Sequence, residues 1–127
     1  MTFKIAVVGC GNHSARVHGP SYQKYVSENP QAQLAACCDL DEEKARKYQK
    51  EFDFKKYYTD LMKMLKQERP DAVCLVVPEN LTAELSIKIL KNGFPLLMEK
   101  PPGKNKKETL KMIEAAKKGK APNQVAF

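Results

Sequence analysis

One apolar run near the N-terminus that breaks into glycines, Lys4-Ile5-Ala6-Val7-Val8-Gly9-Cys10-Gly11-Asn12-His13-Ser14, restricts the possible folds of this chain more than any other segment. Apolar residues in sequence, without alternation, suit a strand buried on both faces, and such strands belong to parallel sheets. The chain must then turn sharply so that a helix can begin under a pyrophosphate. Gly9 permits that turn, and Gly11 lets the backbone approach a phosphate. Ser14 holds the third small position, where Gly or Ala is commoner, and there the helix packs on the strand. The segment predicts a dinucleotide-binding turn.

A second apolar run, Leu34-Ala35-Ala36-Cys37-Cys38, ends in Asp39. A carboxylate at the end of the second strand can accept both hydroxyls of an adenosine ribose. Asp39 lies farther from Gly11 than the usual ~20 residues, a distance that a longer helix and the Asn29-Pro30 turn absorb. The same charge repels a 2′-phosphate, and Leu40 stands where an NADP site more often offers Arg, so the expected cofactor is NAD, with NADP disfavoured. The simpler reading, Asp39 as a helix cap, is weakened because Asp41 is available to cap the helix that follows.

At 127 residues the chain has room for one domain with an ordinary core. It has no apolar run near the ~18 residues of a membrane span, and its start, Met1-Thr2-Phe3-Lys4, resembles no secretory leader. The expectation is a cytoplasmic protein that does not contact a membrane. Cys10, Cys37, Cys38 and Cys74 form no C-x-x-C pair or zinc-ligand spacing, so no metal site is expected and the thiols read as core. Cys10 alone sits beside a helix N-terminus, which lowers a thiol pKa where the sulfur faces it. The net charge is +7, and much of the excess lies toward the C-terminus, in Lys104, Lys106, Lys107, Lys111, Lys117, Lys118 and Lys120. Leu110, Ile113 and Ala116 recur among them at helical spacing, which makes the lysines a solvated helix face, and no interleaved aromatics support nucleic-acid binding.

Periodicity predicts strands near 3–8, 33–38, 56–58, 72–77, 95–98 and 123–127, alternating with helices near 14–28, 41–51, 60–67, 79–92 and 104–118. Asp41 and Thr59 read as N-caps, and Gly93 and Gly119 as residues just past helix C-termini. This alternation predicts an α/β fold with a doubly wound parallel sheet, one dinucleotide-binding domain over residues 1–127. Two strand ends in the second half carry chemistry. One is Val77-Pro78-Glu79-Asn80; the other is Glu99-Lys100-Pro101-Pro102-Gly103, where two charged residues close an apolar strand. Charges there are costly unless used or exposed, and an ordinary surface ion pair is the alternative.

Taken together, Gly9-Cys10-Gly11 with Asn12-His13-Ser14, Asp39, Val77-Pro78-Glu79-Asn80 and above all Glu99-Lys100-Pro101 resemble the N-terminal half of the Gfo/Idh/MocA oxidoreductases, the group of glucose-fructose oxidoreductase and inositol dehydrogenase. The resemblance covers essentially the whole chain and implies a Rossmann fold. It implies cofactor contacts from the glycine turn through Ser14, from Asp39, from the Val77–Asn80 turn and from Glu99. Lys100 would lie beside the nicotinamide and the reacting hydroxyl as the catalytic group, with Glu99 on the nearby ribose or positioning Lys100. Pro101 would fix the backbone there, if necessary through a cis bond. Hydride transfer from a sugar or polyol carbon needs its hydroxyl proton removed, a task that suits lysine because burial lowers its pKa readily.

Two departures matter. Thr82 stands where many relatives carry His, and the family's second domain, which holds the sugar or polyol substrate and usually a catalytic His, lies outside this sequence. His13 and His18 do not replace that His. The chain is therefore expected to be an excised cofactor domain or a natural truncation, inactive alone, of a protein that is a homo-oligomer at full length. The alternative is a non-catalytic NAD-sensing regulator or scaffold. An S-adenosylmethionine methyltransferase shares the glycine turn but gives Glu99-Lys100-Pro101 no role. From Asp39 and Leu40 we predict that the chain binds NAD more tightly than NADP in titration calorimetry; equal or stronger NADP binding would remove Asp39 from the ribose.

Overall fold

In the computed structural model, which describes residues 2–127, β1 (Phe3–Val8) enters from solvent and is buried from Ile5 onward, as its unbroken apolar run requires. β2 (Ala32–Cys38) repeats the pattern and is buried from Leu34 to Cys38. The two run parallel, with Val7 opposite Cys37 and Val8 opposite Cys38, and the short β3 (Lys56–Tyr58) lies parallel on the other side of β2. A π-helical stretch, Ser14–His18, runs into α1 (Gly19–Glu28) between β1 and β2. α2 (Glu42–Phe52) and α3 (Leu61–Glu68) follow β2 and β3. These elements make up the first of two compact units, Met1–Asp71, with strand order β3-β2-β1.

The second unit, Ala72–Phe127, holds β4 (Ala72–Leu75), α4 (Glu79–Lys91), β5 (Leu96–Glu99), α5 (Lys106–Gly119) and β6 (Asn123–Ala126). Its strands are parallel in the order β4-β5-β6. Orders 3-2-1 and 4-5-6 are those of the two mononucleotide-binding halves of a doubly wound fold. β4 is shorter than its apolar run suggests: pairing ends at Leu75, and Val76 and Val77 carry the chain toward Pro78. Among the described residues no helix is long and apolar enough to cross a membrane.

Local chemistry explains most helix ends. Asp41 accepts hydrogen bonds from the backbone N–H groups of Glu43 and Lys44 and caps α2 as expected. The cap of α3 is Asp60 and not Thr59: its carboxylate accepts the N–H of Lys63 at 3.1 Å, and Thr59 stands one residue too early to reach that donor. Gly93 follows α4 at φ +86°, where glycine is favoured, but Gly119 stays inside α5 and Lys120 takes the left-handed position. Packing requires glycine at 119, because a Cβ there would stand 1.8 Å from the backbone oxygen of Leu90 in α4. That close approach also sets which face of α5 is covered. Met112 and Ala115 are buried, whereas of the expected apolar stripe Ala116 is half-buried and Leu110 and Ile113 remain half exposed beside the solvated lysines.

The core of the first unit is aromatic on its α2 side. Tyr48 lies between Phe52 and Phe54, with ring centroids 4.7 and 5.6 Å away. Glu68 is buried, which no pattern along the chain foretells: its carboxylate accepts the Tyr58 hydroxyl and lies 3.5 Å from Lys4 Nζ and 3.6 Å from Lys56 Nζ. Burial alone would raise its pKa, but the Tyr58 hydroxyl and the two lysines outweigh that and hold it below the ordinary value. In an ordinary exposed helix, Gly→Ala stabilises by about 1 kcal/mol. For Gly119→Ala we predict the opposite sign, a loss of about 2 kcal/mol or more in urea unfolding, because the methyl group meets backbone and not a movable side chain.

Candidate functional site

The glycine turn is assembled within the first unit. Gly9 leaves β1 at φ +105°, a conformation open cheaply only to glycine, and its N–H donates to Cys38 O at 2.8 Å. The next N–H, from Cys10, donates to Asp39 Oδ2 at 2.9 Å, and Asp39 Oδ1 accepts the N–H of Asp41 at 2.9 Å. The acidic residue ending β2 therefore lies directly against the turn that follows β1. Gly11 faces open space: a Cβ built there meets nothing within 4 Å. Asn12 and His13 are exposed where the helix begins, and the first turn of a helix directs its N–H groups outward, toward an anion. A turn with room at Gly11, a helix start and a fixed carboxylate fits a dinucleotide's pyrophosphate and ribose.

Ser14 departs from the commonest residue without disturbing the packing. It is 1 % exposed, and its Oγ donates to the Tyr48 hydroxyl of α2 at 2.9 Å. The hydroxyl that a glycine would lack is thus satisfied inside the core. Nothing near Ser14 in sequence points to Tyr48, which lies 34 residues away. His18 is half-buried and belongs to a ring series along the helix start, edge-on to His13 at 5.3 Å and stacked on Tyr22 at 6.2 Å.

Of the two orientations that the sequence leaves open for Cys10, the structure takes the buried one. Its side chain is buried with Sγ 3.5 Å from Cys38 O, and hydrogen bonding with Cys37 together with burial drives its pKa well above the ordinary value. Burial and the neighbouring Asp39 charge push the Cys38 thiol up to about 12. All four cysteines are buried as core residues and none is in a disulfide.

In the second unit the two singled-out segments lie at the carboxyl ends of parallel strands, where ligands bind in sheets of this kind. After β4, Val77 is half-buried and Pro78, Glu79 and Asn80 are exposed; Pro78 O accepts the N–H of Leu81 as α4 begins. Thr82 is 2 % exposed on the inner side of α4, so it does not present a side chain at the surface. Glu99 is the last residue of β5 and half-buried, opposite Ala126 of β6, and Lys100 beyond it is exposed. The Lys100-Pro101 peptide bond is cis. Asn105 caps α5 by accepting the N–H of Glu108, and Glu108 reaches back to accept the N–H of Lys104 at 2.8 Å.

A family model described as an oxidoreductase family with an NAD-binding Rossmann fold matches residues 3–127. The chain belongs to this family, the Gfo/Idh/MocA oxidoreductases. It is 30% identical over 128 residues to inositol 2-dehydrogenase 2 of Saccharopolyspora erythraea, covering 100% of this chain and 37% of the relative. It is 27% identical over 115 residues to D-glucoside 3-dehydrogenase of Escherichia coli, covering 91% of this chain and 32% of the relative. Among solved structures, the WlbA dehydrogenase of Chromobacterium violaceum, in complex with NADH and UDP-GlcNAcA, superposes with a TM-score of 0.88 at 29% identity. That match covers 98% of this chain and 35% of the other, and shows the Rossmann fold. The chain spans about a third of the length of the curated relatives it matches.

Because the Gly11 position is open, Gly11→Val is predicted to leave the circular dichroism spectrum and melting temperature of the free chain nearly unchanged while abolishing stabilisation by NAD. Retained NAD-dependent stabilisation in this variant would show that no phosphate lies at the turn.

Proposed function

We propose that this chain is the cofactor-binding domain of a dehydrogenase that moves a hydride between NAD and a CH–OH group of a sugar-like or polyol substrate. The observation that carries the proposal is the position of Glu99-Lys100-Pro101 at the carboxyl end of β5, within a family match that covers the chain from residue 3 to residue 127. Two relatives, a D-glucoside 3-dehydrogenase and an inositol 2-dehydrogenase, support the substrate class.

In this reading Gly9, Gly11, Asn12, His13 and Ser14 form the pyrophosphate turn and Asp39 meets the adenosine ribose. Val77, Pro78, Glu79 and Asn80 border the cofactor farther along, and Glu99 contacts the nicotinamide-side ribose or orients Lys100. NAD, when bound, supplies the hydride acceptor. Lys100 is the catalytic residue: its amine accepts the proton of the substrate hydroxyl, and the ammonium so formed stays hydrogen-bonded to that oxygen and stabilises its developing negative charge. The chain alone does not orient the substrate; that belongs to the part of its relatives outside the matched third.

Lys100→Met, placed in a protein that also carries the substrate-holding residues, is expected to keep NAD affinity within about threefold and to lower turnover on inositol-like or hexose substrates by about 100-fold or more. Titration calorimetry and steady-state rates measure the two effects separately. Near-normal turnover would exclude Lys100 from the chemistry and favour an NAD-binding sensor.

A further inference from the structure

We propose that Asp39 is the brace that holds the glycine turn in its phosphate-binding shape, in addition to any contact with a ribose. The proposal rests on the reading of that turn as the pyrophosphate site. Cys10 stands between two glycines, Gly9 at φ +105° and Gly11 with open space beside it, so its neighbours restrict the backbone very little. Its N–H is fixed by Asp39 Oδ2 at 2.9 Å, across 29 residues of sequence. The other oxygen, Oδ1, accepts the N–H of Asp41 at 2.9 Å, and the backbone N–H of Asp39 donates to Tyr58 O at 3.1 Å. Asp39 is thus held through its carboxylate from its own loop and through its backbone from β3 before it meets the turn.

A hydrogen bond to a charged acceptor is among the stronger ones, and a backbone donor held this way restricts the peptide that a phosphate must approach. The arrangement does not exclude a ribose. An ionised carboxylate offers about four lone-pair sites, and the two backbone donors occupy two of them. One consequence concerns cofactor preference. Replacing the acidic residue, the obvious way to admit a 2′-phosphate beside the exposed Leu40, would also release the turn, so binding of both cofactors would suffer.

Two probes separate the roles: inorganic pyrophosphate, which has no ribose, and adenosine, which has no phosphate. If Asp39 only meets the ribose, Asp39→Ala leaves pyrophosphate binding unchanged or tightens it, since a negative charge near the anion is gone. If Asp39 braces the turn, pyrophosphate affinity falls. A drop of the competent conformation to about a tenth of the population lowers apparent affinity about tenfold. In NMR titrations of the 127-residue chain we expect that tenfold loss in Asp39→Ala, with faster hydrogen exchange at the Cys10 amide of the free protein. Asp39→Asn keeps one acceptor oxygen for two donors and is expected to fall between the two on both measures, which separates release of the turn from general unfolding.

Unchanged or tighter pyrophosphate binding in Asp39→Ala, with adenosine binding alone lost, would overturn the proposal. If the unaltered chain binds neither probe, the cofactor reading fails and the Cys10 amide still decides the brace: exchange unchanged in both variants overturns it, and faster exchange supports it.

Discussion

At Gly9 the chain must leave a buried strand and reverse direction within three residues. The positive φ of Gly9 turns its N–H onto Cys38 O and the next N–H onto the Asp39 carboxylate, so the end of β1 is tied to the end of β2 before any helix has begun. Much of the first unit follows from that reversal. Ser14 arrives close enough to α2 to bond Tyr48, and Gly19, one helical turn on, comes so close to Phe52 that a Cβ would stand 2.3 Å from the ring. A bulkier residue at either helix position would push α1 away from the aromatic core and the helix start away from the turn.

A different close contact organises the second unit. Gly119 brings α5 against the backbone of α4, which selects the Met112 and Ala115 face for burial and leaves the lysines of α5 in solvent. Under those helices Leu96 and Met98 of β5 are buried while Leu97 between them is 40% exposed, the alternation of a strand covered on one side. The same strand delivers Glu99 and Lys100 to its carboxyl end, the first half-buried and the second in solvent, so the charges come at the point where the apolar run stops. Exposure removes most of the cost of placing a lysine beside a buried strand.

Membership in the oxidoreductase family fits each unit on its own terms, as strands that end in loops of a Rossmann fold. The reacting partner is a separate matter. Fold does not fix function, and the chain matches only about a third of its relatives' length.

Residue order alone determined the features that depend on near neighbours. Unbroken apolar runs marked β1 and β2, Asp41 marked the start of α2, Gly93 the end of α4, and the Glu99-Lys100-Pro101 segment the family. Tertiary structure decided what depends on groups brought together from far along the chain. It turned the Cys10 sulfur into the core against the β2 end and supplied Tyr48 to a buried Ser14. It enclosed Glu68 with Lys4, Lys56 and Tyr58, and it moved the covered face of α5 from Leu110 and Ile113 to Met112 and Ala115. The physical reason is the same in each case. Periodicity and caps are set by interactions within about four residues along the chain, whereas a thiol's environment, a buried hydroxyl's partner and a helix's contact face are set by whichever backbone packs against them.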